Sequence, residues 1–113
     1  MKDLTNEQLC ALAQAGDEQA VSILIKANLP FVRKIANQIV GNPVRQEHLS
    51  ACGVGFDGLV QVGSIGLWRA IDSYELSSGV KFLTYAAPTT KRSMSDLIRQ
   101  YSRDTVWQLR HDN

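Results

Sequence analysis

The sequence predicts an all-α fold, a compact bundle of four to five helices. Apolar residues recur at three- and four-residue spacing over most of the chain, helix-capping signals stand between the periodic stretches, and no strand-like alternation, internal repeat or low-complexity segment competes. The chain has 113 residues. That suits one domain, which buries roughly two thirds of its unfolded surface and needs neither disulfides nor a metal to hold a core.

Thr5 and Gln8 have the spacing of a capping box, so a first helix should start near Asn6, with Leu9, Leu12 and Ala13 on its apolar face and Gly16 at its end. Asp17 is the next cap, ahead of a stripe made by Ala20, Val21, Ile23, Leu24 and Ala27. Asn28 and Pro30 repeat the signal, and Phe31, Val32, Ile35, Ala36, Ile39 and Val40 form a third helix or a kinked continuation, closed by Gly41. From Gly41 to Phe56 the pattern weakens, with room for a short helix opened by Asn42 and Pro43.

Asp57 is placed to cap a helix running to about Tyr74, with Leu59, Val60, Leu67, Ala70, Ile71 and Tyr74 on one face. Gly63 and Gly66 inside it cost about 1 kcal/mol each relative to Ala, which close backbone approach by a neighbouring helix or a partner would offset. Ser77, Ser78 and Gly79 make a turn. Thr84 then caps a long last helix through Met94, Leu97, Ile98 and Tyr101, with Pro88 near its first turn. This divides the chain into an N-terminal helical segment over 1–28 that packs on the domain, a main unit over 29–103, and a tail or linker start over 104–113.

Cys10 and Cys52 are far apart and lack a CxxC neighbour, as in a reduced intracellular protein. His48 and Cys52 can share a helix face, but a zinc site needs about four ligands and no second pair is in sight, so no metal and no cofactor is expected. His48 and His111 have no evident partners, and the glycines of GVGF match no nucleotide fingerprint, so an enzyme is not expected. Without a signal-peptide or membrane-span pattern, the expected compartment is the cytoplasm, with no membrane partner. Charge is polarised: residues 1–80 carry six basic and eight acidic side chains, net −2, while residues 81–113 carry six basic and three acidic ones, net +3. That distribution fits a chain whose second end meets phosphate.

The stretch GLVQVGSIGLWRAIDSYELSSGVKFLTYAAPTTKRSMSDLIRQ, from Gly58 to Gln100, resembles region 2 of bacterial sigma-70 family factors: a QxGxIGLxxA helix, an acidic and aromatic turn, a KFxTYA element and a basic helix. The resemblance extends from roughly Ile25 to Arg103. Ala87-Pro88-Thr89 after Tyr85 is more like the alternative and sporulation-type members than the housekeeping ones, which carry paired tryptophans near there.

The resemblance implies a transcription initiation domain that binds core RNA polymerase and recognises and melts the promoter minus-ten element by capturing the non-template strand. The polymerase face, which meets a coiled coil of the largest subunit, falls on Asp57, Gly58, Gln61, Val62, Ser64 and Trp68. Family members commonly have an acid where this chain has Gly58, and housekeeping members also have one where it has Val62; losing those charges weakens docking or shifts it toward apolar packing. The DNA face falls on Lys81, Phe82, Thr84, Tyr85, Pro88, Thr89, Lys91, Arg92, Ser95 and Arg99. Tyr85 matches the stacking aromatic; of the pair, core packing is favoured for Phe82 and stacking for Tyr85. Lys81 and Thr84 hold backbone and base edges, Arg92 and Ser95 read the upstream duplex end, and Lys91 and Arg99 serve phosphates.

A full sigma factor also has a helix-turn-helix region for which this length leaves no room. The expectations are an excised domain, a region-2-only protein working with a separate upstream-reading subunit, or a relative that binds without opening DNA. The alternative class is a protein-interaction module that binds polymerase or an anti-sigma factor, its basic helix merely solvated.

Overall fold

A computed structural model describes the backbone of residues 4–111 and the side chains of residues 4–101. Six helices follow in that span: α1 (Asn6–Gln14), α2 (Glu18–Ala27), α3 (Leu29–Val40), α4 (Pro43–Ala51), α5 (Phe56–Ser73) and α6 (Phe82–His111). The all-α class holds. There is one helix more than expected because Asn28 separates two helices and Asn42–Pro43 does open a short one.

Several caps are those the sequence specifies. The Thr5 hydroxyl accepts from the Gln8 amide while the Gln8 side chain accepts from the Thr5 amide, closing the capping box. Asp17 accepts from the amides of Gln19 and Ala20, and Asn42 from that of Arg45. Gly41 ends α3 at φ +82°, a left-handed conformation that strains a residue with a Cβ.

Three starts differ. Asn28 makes no side-chain cap for α3; its buried amide instead donates to the Leu24 carbonyl and to the Asn6 side chain, tying α2 to α1. The α5 helix begins two residues earlier than an Asp57 cap would start it, with Gly55 at the cap, so Asp57 lies in the first turn, where its charge suits the helix dipole. The last helix begins at Phe82 rather than after Thr84, because the Lys81 carbonyl already accepts from the Tyr85 amide and a Glu7 carboxylate oxygen accepts from the Phe82 amide. Pro88 therefore stands inside the helix, past its first turn, and denies the Thr84 carbonyl its helical donor. The tail expected over 104–113 lies outside the described side chains; the helix runs on to His111.

The core gathers around α5, which packs on α6, α3, α1 and α2. Leu59, Leu67, Ala70 and Ile71 are buried on it and Tyr74 at its C-cap, against Leu24, Val32, Phe82 and Met94. The two glycines are compensated by α6. A Cβ at Gly63 would overlap Met94 Cε and meet Val32 Cγ1 at 2.9 Å, and one at Gly66 would meet Ser93 Oγ at 2.6 Å and the Thr89 carbonyl oxygen at 3.0 Å. The missing side chains let the two helices approach closely enough to meet main chain to side chain.

Cys10 is fully buried in this core. Desolvation, with the nearby Glu7 charge adding to it, pushes its thiol up to about 12, so it stays protonated and packs as a small apolar residue. Among the described residues no helix is long and apolar enough to cross a membrane.

Candidate nucleic-acid and partner interfaces

Two surfaces emerge from the placement of the sequence-predicted residues. The first is one face of α6. Lys81, Thr84, Tyr85, Pro88, Lys91, Arg92, Ser95 and Arg99 are all exposed. They recur every three or four residues and so form a single stripe, while Ala86, Thr90 and Met94 on the opposite side are buried. Thr89 is half-buried at the edge, with its carbonyl toward Gly66. Arg99 pairs with Asp96 at 3.2 Å, but both side chains are more than half exposed, so the pair holds the guanidinium only weakly.

Phe82 does not lie on the stripe. Its ring is fully buried and meets Tyr74 edge to face at 5.4 Å between centroids. The Tyr74 ring in turn lies 5.6 Å from that of Tyr85, tilted by 53°. Tyr74 donates its hydroxyl hydrogen to the Val80 carbonyl. Tyr85 places its own hydroxyl 2.8 Å from Ser73 Oγ and 3.2 Å from the Ser73 carbonyl oxygen, at the end of α5. A row of three rings therefore runs outward from the core: Phe82 anchors Tyr74, and Tyr74 supports Tyr85, which remains 38% exposed. Sequence periodicity put Tyr74 on the core face of α5 but gave no sign that it would also carry Tyr85. That role depends on the eight-residue connection between α5 and α6 folding back on itself.

The second surface is a shallow, largely apolar groove between α5 and the α2–α3 junction. It is lined by Ile25, Leu29, Val60, Ile65 and Trp68, with Asp57, Gln61 and Ser64 at its polar positions. Trp68 is 52% exposed and Ile65 42%. Of the residues assigned to the polymerase face, Asp57, Gln61, Ser64 and Trp68 come together here. Val62 does not: it is half-buried and lines a separate groove toward α6 with Ser93 and Leu97. Gly58 has nothing within 4 Å of where a Cβ would stand, so this glycine is not required by packing. Ile25, Leu29 and Ile65 were missed. Ile65 could have been found, since it falls off the apolar face that Leu59, Leu67 and Ile71 define.

Residues 24–104 match the family described as Sigma-70 region 2. The RNA polymerase sigma-F factor of Bacillus subtilis is 30% identical over 99 residues, which cover 88% of this chain and 35% of that protein. The RNA polymerase sigma factor SigA of Listeria monocytogenes is 33% identical over 103 residues, covering 88% of this chain and 25% of that protein. The chain thus spans about a third or less of the length of these relatives. Six helices in this order, a basic stripe that starts at an anchored tyrosine, and a match over well more than half the residues agree: the chain belongs to the Sigma-70 region 2 family.

Proposed function

We propose that this chain serves transcription initiation as a sigma region 2 of the alternative type, joining core RNA polymerase to promoter DNA and capturing the non-template strand of the minus-ten element. The observation that carries this reading is Tyr85, an aromatic ring held at its hydroxyl and one side by Ser73 and Tyr74 yet exposed at the head of a basic stripe. A ring fixed before the strand arrives loses little freedom on stacking. Base stacking on an aromatic side chain contributes roughly 1–3 kcal/mol, comparable to the cost of unstacking the base. Lys91, Arg92 and Arg99 follow along the helix as phosphate and duplex contacts, with Ser95 among them. Pro88 and Thr89 offer no wedge, so opening depends on capture of the base more than on prying the duplex.

The test is binding to single-stranded oligonucleotides with and without the captured adenine. The parent should prefer the adenine strand, and Tyr85→Ala should lower that affinity by about tenfold to a hundredfold, the loss of one stack. Affinity should also fall steeply with salt. Equal binding to both strands would refute capture and leave a protein-interaction module.

The Trp68 groove takes the coiled coil of the polymerase's largest subunit in this reading. Trp68 is a large amphipathic ring beside apolar Ile25 and Ile65, the composition of a binding hot spot. Trp68→Ala should weaken capture of core polymerase by about 30-fold, a loss of roughly 2 kcal/mol, in a quantitative pull-down. Unchanged capture would remove the groove from the docking surface.

A further inference from the structure

The family match begins at residue 24 and leaves α1 outside it. Yet α1 holds both ends of the connection from which Tyr85 is presented. The Gln14 side-chain amide donates to the carbonyls of Ile71 and Tyr74, each at 2.8 Å, at the C-terminal end of α5. One turn of helix leaves its last carbonyls without internal donors, and here a side chain from another helix supplies them. Glu7 does the converse for α6: its carboxylate oxygen accepts from the Phe82 amide at 2.8 Å, and its charge lies at the positive end of that helix dipole. Glu7 and Gln14 are seven residues apart, two turns of one helix, so they share a side and reach the two ends as a fixed pair. The capping box and the buried Leu9 and Cys10 hold α1 itself in place. Tyr85 also bonds across the gap to Ser73, and Tyr74 bonds to Val80 at the far end of the connection.

We infer that α1 is a clamp that sets the spacing between the end of α5 and the start of α6, and that Glu7 and Gln14 are positioning residues for Tyr85. Neither has to touch DNA. They act by keeping the Ser73–Tyr85 bond and the Tyr74 support in register, so that the ring is already oriented when a base reaches it. The inference rests on the strand-capture reading above.

Charge gives it a sign. Glu7→Ala removes a negative charge from a phosphate-binding protein and by electrostatics alone should tighten binding. The clamp requires the opposite. Each lost cap frees the connection by about one net hydrogen bond, roughly a fivefold effect. In the full chain, Glu7→Ala and Gln14→Ala should each lower affinity for the adenine-containing oligonucleotide about fivefold, and both together more than tenfold. Binding to the adenine-replaced strand and its salt dependence should change little, because the phosphate contacts on α6 remain. Glu7→Gln, which keeps an acceptor, should recover most of the loss. In the same variants, amide hydrogen exchange at Phe82 and Leu83 should accelerate. An unchanged ratio between the two strands in a parent that discriminates them overturns the clamp and leaves strand capture standing. A parent without adenine preference overturns strand capture; exchange then decides the clamp, and unaltered exchange at Phe82 in Glu7→Ala overturns it.

Discussion

Phe82→Ala should cost about 3–5 kcal/mol of unfolding free energy, the range for emptying a fully buried aromatic site. The ring is the inner member of the Phe82–Tyr74–Tyr85 row and has no exposed atoms to lose. The damage therefore falls first on the core between α5 and α6 and only through it on the exposed tyrosine. Urea or guanidinium titration followed by far-ultraviolet circular dichroism measures the loss. Phe82→Leu, which refills much of the volume, should recover more than half of it. A Phe82→Ala protein as stable as the parent would contradict the burial of this ring.

Gly66→Val is expected to be comparably severe, about 3 kcal/mol, for the opposite reason. Even the first added carbon would stand 3.0 Å from the Thr89 carbonyl oxygen and 2.6 Å from Ser93 Oγ. The serine can rotate away. The carbonyl belongs to the α6 backbone and moves only with its helix, so two further methyl groups must push α6 off α5, and overpacking of this kind typically costs 1–3 kcal/mol, on occasion more. β-Branching adds no gain in helix propensity that would offset it appreciably. Gly58→Ala is the matched control on the same helix: it meets nothing within 4 Å and should leave stability unchanged or raise it by up to about 1 kcal/mol. Equal effects of the two substitutions, read from denaturation midpoints, would show that propensity rather than contact governs these glycines.

Much of this was legible from sequence because the signals are local. Thr5 with Gln8, Asp17, Asn42 before Pro43, and the glycines at 16 and 41 fix helix ends through bonds or dihedral angles within four residues. The close approach at Gly63 and Gly66 was also legible, since a helix tolerates two such residues only when something occupies their space. The basic stripe followed from three- and four-residue spacing and from the resemblance together. What was not legible depended on partners far along the chain. Thr84 reads as a cap only until Glu7 takes the amide of Phe82, 75 residues along from it, and lets the helix begin earlier. Asn28 reads as a cap until Asn6 and Leu24 claim its side chain. Val62 was grouped with Trp68 by resemblance, but it sits on the side of α5 that turns toward α6.

The same distances bear on how the molecule is made. The bonds from Gln14 span 57 and 60 residues and that from Glu7 spans 75. Closing such loops is the entropically slow part of folding, and a nine-residue helix such as α1 is marginal by itself in water. During synthesis α1 leaves the ribosome before α5 and α6 but has nothing to hold until Phe82 has followed it. Tyr85 is thus set in place late, when the two ends of the connection are finally joined by a segment made well before either of them.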